Sequence, residues 1–267
     1  MLTIFTPTFN RAKYLDKCYQ SLLKQAYNNF EWLIIDDGSI DNTKEIVDGF
    51  IAENRITIRY IYQENAGKQA AWNRAVLNAQ GEYFIGVDSD DVLIVNSLSL
   101  FFEKYIPLIE NKDDVIGIRA LSKKESSQNA DSTYAIDNEC MIDSWFAEFG
   151  SRIFGERIDI LKTDYLKYYL YPVKDDIKFI PEIWFYSVLS KKYKFLYVNK
   201  YLGLFFDEHG DNRLSRSSLE KNAKGHFISR SAMLKNIPVR YFLSNPVGLV
   251  KTVIRWLQCY YFVMKNK

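Results

Sequence analysis

The first ninety residues alternate short apolar strand patterns with amphipathic helix patterns, and this alternation constrains the fold more than any other feature. Residues 2–6, 31–35, 56–62 and 82–87 have the short, aromatic and β-branched composition of strands. Helical patterns separate them, the last over residues 68–79. A strand–helix–strand order of this kind predicts a mainly parallel sheet with right-handed crossovers.

Two polar residues are predicted to cap the first two helices. Asn10 precedes a helical pattern whose apolar residues fall on one face, and Asp41 precedes a second. The second helix is expected to turn four apolar residues inward, which are Ile46, Val47, Phe50 and Ile51.

Beyond residue 95 the pattern is looser. A helix over 98–109, a strand over 115–121, a helix over 183–192 and a strand over 195–206 are predicted. The 183–192 helix is expected to use Trp184, Val188 and Leu189 as its core face. The polar segment 123–138 is predicted to be a loop or hairpin, and such a loop could act as a lid.

Three carboxylates stand together directly after the fourth strand, in Asp88-Ser89-Asp90-Asp91. The carboxyl ends of strands in open α/β sheets are where ligands bind. Clustered carboxylates suit a hard divalent cation, Mg²⁺ or Mn²⁺, that also holds phosphate. The alternative is an acidic turn that caps the next helix.

Composition narrows the class of protein. The chain has 267 residues, 48% of them hydrophobic, and a net charge of +2, which supports a large core and gives no electrostatic argument for nucleic acid as a partner. Cys18, Cys140 and Cys259 lack metal or disulfide spacing, which favours a reducing cytosol. The sequence enters a strand at once, so we expect neither a signal peptide nor a transmembrane helix.

Several motifs in fixed order carry a resemblance to a known family. They are Phe5-Thr6-Pro7-Thr8-Phe9-Asn10-Arg11, Trp32-Leu33-Ile34-Ile35-Asp36-Asp37-Gly38-Ser39, Asp41-Asn42-Thr43, Asn65-Ala66-Gly67-Lys68, Ala71-Trp72-Asn73-Arg74-Ala75, Gly81-Glu82-Tyr83 and Asp88-Ser89-Asp90-Asp91. Together they resemble the family 2 glycosyltransferases of the GT-A fold over about the first hundred residues.

The resemblance implies an α/β GT-A fold, with a Rossmann-like, mainly parallel sheet flanked by helices and a C-terminal mixed α/β and helical extension. We expect residues 1–120 to bind a nucleotide-sugar donor, residues 121–240 to bind the acceptor, and residues 241–267 to form an amphipathic helix.

The resemblance also assigns donor contacts. The backbone of Thr6, Pro7, Thr8 and Phe9 would line the base. Asp37 would accept a hydrogen bond from the base ring N–H, against the alternative that Asp36 and Asp37 only form the turn before Gly38.

Residues of the third predicted helix are further candidates. Lys68 would reach base or phosphate, unless it is a solvated helix start. Asn73 is assigned to the donor site more ambiguously. Arg74 would either hold the aspartates or lie on the helix surface.

For the metal, the resemblance points to the Asp88-Ser89-Asp90 triplet. Asp90 would be the direct ligand of Mn²⁺ or Mg²⁺, and Asp88 would bind ribose or reach the metal through water. Asp91 would orient the site or cap the next helix. His209 is a further metal or phosphate candidate, with an exposed turn histidine as the alternative.

The family's catalytic base lies some ninety residues past the metal motif, at the start of a helix. Glu182, directly after Pro181, fits this position. An acid that only complements the helix dipole is the alternative. Glu156 and Asp159 are the fallback candidates.

The segment 246–264 is apolar, aromatic and basic. It is typical of a helix that lies on a membrane surface, and equally of a helix that packs on the domain or in a homodimer.

These features predict an inverting enzyme that moves one sugar from a UDP- or dTDP-sugar to a hydroxyl of a surface glycan, free or lipid-linked. The Gln-x-x-Arg-Trp motif of processive synthases is absent, which favours single transfer. The protein would be cytoplasmic or peripheral on the inner face of the membrane. The alternatives are a non-catalytic sugar-nucleotide-binding or scaffold subunit, and a nucleotidyltransferase.

Overall fold

The computed structural model describes residues 1–206 and 218–265. In chain order the first half consists of β1 (Leu2–Thr8), α1 (Ala12–Leu23), β2 (Phe30–Asp36), α2 (Thr43–Glu53), β3 (Thr57–Tyr62), α3 (Lys68–Asn78), β4 (Tyr83–Gly86), β5 (Val92–Leu93), α4 (Ser97–Leu100) and β6 (Val115–Lys124). The second half consists of β7 (Cys140–Asp143), α5 (Trp145–Ser151), β8 (Arg157–Lys162), α6 (Thr163–Leu166), α7 (Ile183–Leu189), β9 (Lys194–Phe205), α8 (Ala223–Asn236), α9 (Val239–Ser244) and α10 (Pro246–Lys265).

The described strands form one nine-stranded sheet in the order β3-β2-β1-β4-β8-β6-β9-β5, with β7 paired to β9. The first four pair in parallel, as the sequence predicts. From β8 onward the sheet is mixed, because β8 runs antiparallel to both of its neighbours. The expected α/β fold with a mixed extension is therefore present. Both expected halves contribute strands to this sheet, and β6 crosses residue 120.

Alternate residues of the central strands supply the two halves of the core. Trp32 and Ile34 of β2 point to one face, where α1 and α2 pack. Leu33 and Ile35 point to the other face, which is covered in part by α3 and α7. Burial on both faces explains why these strands are continuously apolar instead of alternating with polar residues.

Several local predictions are wrong for identifiable reasons. Asn10 does not cap α1: its φ is +53°, and its side-chain oxygen accepts a hydrogen bond from the N–H of Ile40 at 2.8 Å. Asp41 serves α1 as well, since its carboxylate accepts from the N–H of Ala12 at 3.1 Å and from Thr43. Ile51 is not turned inward and is 42% exposed.

Other elements differ in type or extent. The helix expected over 98–109 is a short α-helix followed by a π-helical turn over Phe101–Tyr105 and a 3₁₀ turn. The core face of α7 is formed by Phe185, Ser187 and Leu189, with Trp184 only partly buried. The segment 123–138 begins with a tight turn, because the N–H of Gln128 donates to the carbonyl of Lys124.

The helix α10 packs one face on α8. Trp256 stacks on Phe227, and its indole N–H donates to the hydroxyl of Ser231 at 2.9 Å. A second face is apolar and exposed at a spacing of three and four residues, through Val247, Val250, Ile254, Leu257, Tyr261 and Met264. We call these six residues the outer stripe. No helix of the described residues is long and apolar enough to span a bilayer.

Candidate active site

The carboxyl ends of β1, β2, β3 and β4 meet at one edge of the sheet, because these strands are parallel and adjacent. The loops that leave this edge contain most of the residues singled out from the sequence. The edge therefore gathers motifs that lie up to eighty residues apart in the chain.

Asp37 is buried at this edge and organises the loop that follows β3. Its Oδ1 accepts hydrogen bonds from Gln63 Nε2 at 2.7 Å and from the N–H of Ala66 at 2.8 Å. Its Oδ2 accepts from the N–H of Gly67 at 2.8 Å and from Asn65 Nδ2 at 3.2 Å. A carboxylate has about four acceptor positions. All of them are taken, so a base N–H would have to share or replace one of these donors.

Asp36 has the structural role that the sequence indicates. Its carboxylate accepts from the N–H of Ser39 at 2.7 Å and from the hydroxyl of Tyr60 at 2.6 Å. Burial, and then the hydrogen bond to Asp36, raise the pKa of Tyr60.

A close backbone contact fastens the start of α3 to the segment that leads into α7. Gly67 has a φ of +97°, and a Cβ at this position would lie 1.9 Å from the carbonyl oxygen of Lys178. Lys178 Nζ in turn donates to the carbonyl of Asn65 at 2.8 Å. Only glycine satisfies both the conformation and the space. This contact brings Glu182 beside Lys68.

Lys68 joins two carboxylates that come from distant parts of the chain. Its Nζ donates to Asp88 Oδ2 at 2.8 Å and lies 3.3 Å from Glu182 Oε1. Burial lowers the pKa of Lys68, but the charges of Asp88 and Glu182 outweigh burial and raise that pKa above its usual value. Lys68 is therefore a cation held by two carboxylates, and its ammonium group is not simply solvated at the start of the helix.

Asp90 is paired with a second cation. Arg11 Nη2 donates to Asp90 Oδ2 at 2.6 Å, and the guanidinium lies 5.0 Å from the centre of the Tyr14 ring. We call Arg11, Lys68, Asp88, Asp90 and Glu182 the cleft cluster. The pairing of Arg11 with Asp90 was not predicted, and its only sequence signal is the place of Arg11 in the opening motif.

Asp91 does not cap the next helix, which begins only at Ser97. Its carboxylate accepts from the N–H of Phe206, just after β9, at 3.4 Å. Burial, and then the charges of Asp88 and Asp90, raise the pKa of Asp91 well above its usual value. Asp91 thus ties the acidic turn to the far side of the sheet.

The donor set at Asp88 and Asp90 fits a hard cation only with help from a ligand. The residues that the structure describes contain no group of three or more His, Cys, Asp or Glu side chains placed to hold a metal. Two carboxylates are nonetheless the usual protein contribution to a Mg²⁺ ion that also binds phosphates and water. His209 lies outside the described residues.

The first predicted donor segment is mostly strand. Thr6, Pro7 and Thr8 belong to β1, and Thr6 is turned into the core, where its hydroxyl accepts from Trp32 Nε1 at 2.9 Å. Thr8 is also buried, but its hydroxyl finds no hydrogen-bond partner in the described part of the chain. Phe9 follows and is 46% exposed. Phe9 is thus the exposed member of this segment, and Thr8 is the member whose buried hydroxyl has no partner in the described residues.

Asn73 is hydrogen-bonded to the backbone before α7. Its Nδ2 donates to the carbonyl of Tyr171 at 2.8 Å, and its Oδ1 accepts from the N–H of the same residue at 2.8 Å. Both ends of the amide are used to fasten α3 to the segment before α7, so a contact of Asn73 with the donor stays a prediction that requires the residue to give up one of these hydrogen bonds. Arg74 lies on the helix surface.

Two carboxylates near Lys68 could receive a proton from an acceptor. Glu182 directly precedes α7 and its side chain is 53% exposed. Glu156 directly precedes β8 and is held by its own N–H, which donates to Asp131 Oδ2 at 2.7 Å. Partial desolvation of the carboxyl group, and then the charge of Glu182, raise the pKa of Glu156 to about 7, although Lys68 opposes this rise and the residue remains exposed to solvent.

Asp159 belongs to a different cluster and cannot be the base. Arg119 Nη1 donates to Asp159 Oδ2 at 2.7 Å, and Arg119 Nε lies 3.1 Å from Glu148 Oε2. Arg157 lies on the other oxygen of Glu148 at 3.8 Å. We call Arg119, Glu148, Arg157 and Asp159 the interior cluster. Since it is buried, an acceptor sugar has no access to Asp159.

Two cavities among the described residues lie elsewhere. One of about 600 Å³ is lined by Ser218, Arg255 and Tyr261 among others, and one of about 300 Å³ lies between Asp175 and the start of α8. Within the cleft cluster, the side chain of Glu182 is 53% exposed and that of Asp90 is 11% exposed. We place the candidate active site by its chemistry and not by cavity volume.

The family model for "Glycosyl transferase family 2" matches residues 3–157, which is more than half of the chain. The chain belongs to glycosyl transferase family 2. The matched region includes Asp37, Lys68, Asp88, Asp90 and Glu156, and ends before Glu182.

Among curated proteins, the glycosyltransferase GlyG of Streptococcus pneumoniae serotype 4 is 37% identical over 118 residues, 43% of this chain and 38% of that protein. The putative colanic acid biosynthesis glycosyl transferase WcaA of Escherichia coli K12 is 37% identical over 102 residues, 38% of this chain and 36% of that protein. The matches thus span less than half of these relatives.

Solved structures confirm the GT-A fold. S. aureus TarS 1–349 in complex with UDP-GlcNAc superposes with a TM-score of 0.74 at 17% identity, over 97% of this chain and 79% of that one. The mannosyltransferase PcManGT of Pyrobaculum calidifontis, in complex with GDP-Man and Mn²⁺, gives 0.63 at 13% identity, over 99% of this chain and 74% of that one.

Proposed function

We propose that this protein is an inverting glycosyltransferase that moves one sugar from a UDP-sugar, or a dTDP-sugar, to a hydroxyl of a surface-glycan acceptor. The observation that carries the proposal is the bridge that Lys68 makes between Asp88 and Glu182. It places a donor-side carboxylate and a helix-start carboxylate within the reach of one ammonium group. WcaA, named for colanic acid biosynthesis, and TarS, bound to UDP-GlcNAc, support the substrate class.

Residues 1–120 form the donor half of this proposal. Thr8 offers a buried hydroxyl without a partner in the described residues, and Asp37 offers a carboxylate at the same sheet edge. A buried polar atom without a partner is costly unless a ligand or water satisfies it. The nucleotide base is the part of the donor that would pair with Thr8, and it would pair with Asp37 by displacing or sharing one of the donors that Asp37 now has.

Asp88 and Asp90 would hold Mn²⁺ or Mg²⁺ together with the diphosphate. When bound, such an ion acts as a Lewis acid that stabilises the charge on a departing nucleoside diphosphate. Lys68, and Arg11 beside it, add positive charge at the same place.

Glu182 is the proposed base. Its exposed carboxylate would accept the proton of the acceptor hydroxyl while the hydroxyl oxygen bonds to the anomeric carbon and the bond to the diphosphate oxygen breaks. Attack from the face opposite the leaving group inverts the anomeric centre. Residues 121–240, which contain Glu156, Glu182 and α7, would bind the acceptor.

The proposal is tested by following nucleoside diphosphate release from a panel of nucleotide-sugars, with an acceptor, in Mn²⁺ and in EDTA. We expect release only with metal, and loss of release in Asp90→Ala. The matched control is Asp114→Ala, which removes an exposed carboxylate that pairs with Lys194 at the surface. Binding without any turnover would favour the sugar-nucleotide-binding subunit. Release of pyrophosphate when a nucleoside triphosphate and a sugar-1-phosphate replace the nucleotide-sugar would favour a nucleotidyltransferase.

We also propose that α10 rests on an anionic membrane surface, on the cytoplasmic side, through the outer stripe. The helix contains no acidic residue, and the exposed cations Lys251 and Arg255 accompany the stripe. Apolar and aromatic side chains beside cations are what interfacial helices present to anionic lipid. A lipid-linked acceptor would then be presented near the enzyme.

Liposome flotation tests this contact on the full chain. The protein should float with vesicles that contain anionic lipid and remain in solution with neutral ones, and Leu257→Asp should abolish flotation. A concentration-dependent dimer that Leu257→Asp disrupts, without flotation, would show that the stripe binds a second copy instead.

A further inference from the structure

Both carboxylates of the proposed metal site are already neutralised by cations of the chain itself. Asp90 receives the guanidinium of Arg11 at 2.6 Å, and Asp88 receives the ammonium of Lys68 at 2.8 Å. Neither pair comes from sequence neighbours, since 79 and 20 residues separate the partners. These two contacts therefore depend on the tertiary fold, which brings Arg11 from the loop after β1 and Lys68 from the end of the loop after β3 to the two aspartates.

The two pairs differ in how firmly they are built. Lys68 is shared with Glu182, so its ammonium has a second anion to hold it. The side chain of Arg11 is 30% exposed, whereas that of Asp90 is only 11% exposed. The aspartate is thus nearly closed off from water, and among the described residues Arg11 is the cation that pairs with it.

The backbone at Arg11 is fixed independently of Asp90. Asn10 beside it has a φ of +53°, its N–H donates to Ser39 Oγ at 2.9 Å, and its side-chain oxygen accepts from the N–H of Ile40 at 2.8 Å. The guanidinium also lies over the ring of Tyr14 at 5.0 Å. These contacts hold the arginine at the site even when its carboxylate is engaged elsewhere.

We propose that Arg11 is a resident counter-ion of the metal site, which competes with a divalent cation for Asp90 and transfers to the diphosphate when metal and nucleotide arrive together. The inference rests on the proposed function. A divalent ion that approaches Asp90 alone meets a positive charge within a few ångströms, and the repulsion weakens its binding. A diphosphate offers Arg11 a bidentate partner of the same geometry as a carboxylate, which removes the competition.

The expected behaviour is strong mutual dependence of metal and nucleotide. Because coupling between two ligands is reciprocal, UDP should tighten Mn²⁺ by the same factor by which Mn²⁺ tightens UDP. The chain would thus bind little free metal and would assemble the site only around the donor.

The test measures Mn²⁺ binding to the folded protein from the loss of the free-ion signal in electron paramagnetic resonance, with and without UDP, after subtraction of the Mn²⁺ that UDP alone binds in a protein-free sample. Arg11→Gln should bind Mn²⁺ alone more tightly than the natural chain, by about tenfold, the order expected when one partly screened cation is removed. It should also show a smaller factor of coupling to UDP. Arg11→Lys keeps the charge and loses the planar fork, and should fall between the two.

Lys24→Gln is the matched control, since it removes one exposed positive charge at the end of α1, away from the carboxylates. It should leave both Mn²⁺ affinity and coupling unchanged. Thermal unfolding of each variant verifies that the fold is retained, and Arg11→Lys carries the test if Arg11→Gln is unfolded.

The result has a definite sign. If Arg11→Gln binds Mn²⁺ alone no more tightly, or more weakly, while Mn²⁺ and UDP still bind the natural chain together, the counter-ion role is wrong and the proposed function stands. If the natural chain binds no Mn²⁺ even with UDP, the metal assignment fails together with this inference.

Discussion

The cleft cluster and the interior cluster are built from the same kinds of side chain but differ in access. In the cleft cluster, Lys68 and Glu182 are 29% and 53% exposed and open to a ligand. In the interior cluster, Arg119 and Glu148 are 5% and 4% exposed, and the hydroxyl of Tyr197 fills a further position on Glu148. Paired charges alone therefore do not indicate a functional site. Paired charges indicate such a site when a ligand can reach them and change their pairing.

The largest expected effect is on catalysis and comes from Glu182 in the exposed cleft cluster. Glu182→Gln keeps the size of the side chain and removes the proton acceptor, so kcat should fall by about 10²–10⁴-fold. A base acts in the transition state, so the Kd for UDP should change little. Steady-state rates and calorimetry on the same preparation measure both quantities.

Glu156→Gln is the matched variant, because Glu156 lies near the same lysine. We expect its turnover to stay within a few-fold of the natural enzyme. The base would be Glu156 instead if Glu182→Gln kept normal turnover and if the natural enzyme showed a rise of kcat through about pH 7, where Glu156 releases its proton, that Glu156→Gln abolished.

The next effect is on stability and contrasts Arg119 with Lys68. Arg119→Leu leaves Asp159 and Glu148 buried without their main cation, which should cost about 3–5 kcal/mol of unfolding free energy. Lys68→Gln breaks a partly exposed pair and should cost about 1 kcal/mol or less, but should weaken UDP binding. Urea unfolding and UDP titration measure the two effects. Equal stability losses would mean that the clusters do not differ in the way that their exposure indicates.

Asp37 combines a property of each cluster: it is buried, as the interior cluster is, and it lies at the sheet edge where the cleft cluster lies. Asp37→Ala should weaken UDP binding by about 1.5–3 kcal/mol, the value for lost hydrogen bonds to a charged acceptor. Part of this loss comes from release of the 63–67 loop that carries Lys68. Hydrogen exchange at Ala66 and Gly67 would rise with it. Unchanged UDP affinity with faster exchange would make Asp37 a purely structural residue.

The smallest effect is the pH dependence that Glu156 contributes to stability, because the residue is exposed and solvent screens much of the interaction that shifts its pKa. Its pKa is about 7 in the folded chain against an ordinary value of 4.5. Folding therefore disfavours its ionised form, and the stability of the natural chain relative to Glu156→Gln should fall as the pH rises from about 4.5 to about 7. Parallel urea titrations across this range check the trend. If the difference in unfolding free energy between the two proteins did not change with pH, the Glu156 carboxyl would be fully solvated and its pKa would not be raised.

The sequence predicts the secondary structure of the periodic first ninety residues well. It predicts the strands that contain charged residues with distant partners poorly. The strands β1 to β4 are correct to within two residues at each end, because continuous apolar runs between helical patterns admit few other structures. The strand β8 was missed, because Asp159 and Lys162 interrupt its apolar pattern. Their charges are satisfied by Arg119 and by the carbonyls of Ile109 and Lys112, and nothing in the local sequence reveals these partners.

The site follows the same division. The family pattern brought Asp88, Asp90 and Glu182 to attention, and the structure brings Lys68 between two of them. The pairing of Arg11 with Asp90 and the use of Asn73 as a backbone clamp depend on loop geometry. Residue type and spacing do not determine geometry of that kind, so these roles appeared only in the folded chain.

The contact of Gly67 with Lys178 sets a rule for recombining this protein with its relatives. A chimera that joined residues 1–120 of this chain to the C-terminal half of another enzyme would keep Gly67 but would lose the Lys178 segment that lies against it. The loop over 63–69 and the segment over 178–182 must therefore be exchanged together. The crossover point for exchanging the C-terminal half is therefore defined by this pair of segments and not by a single position along the chain.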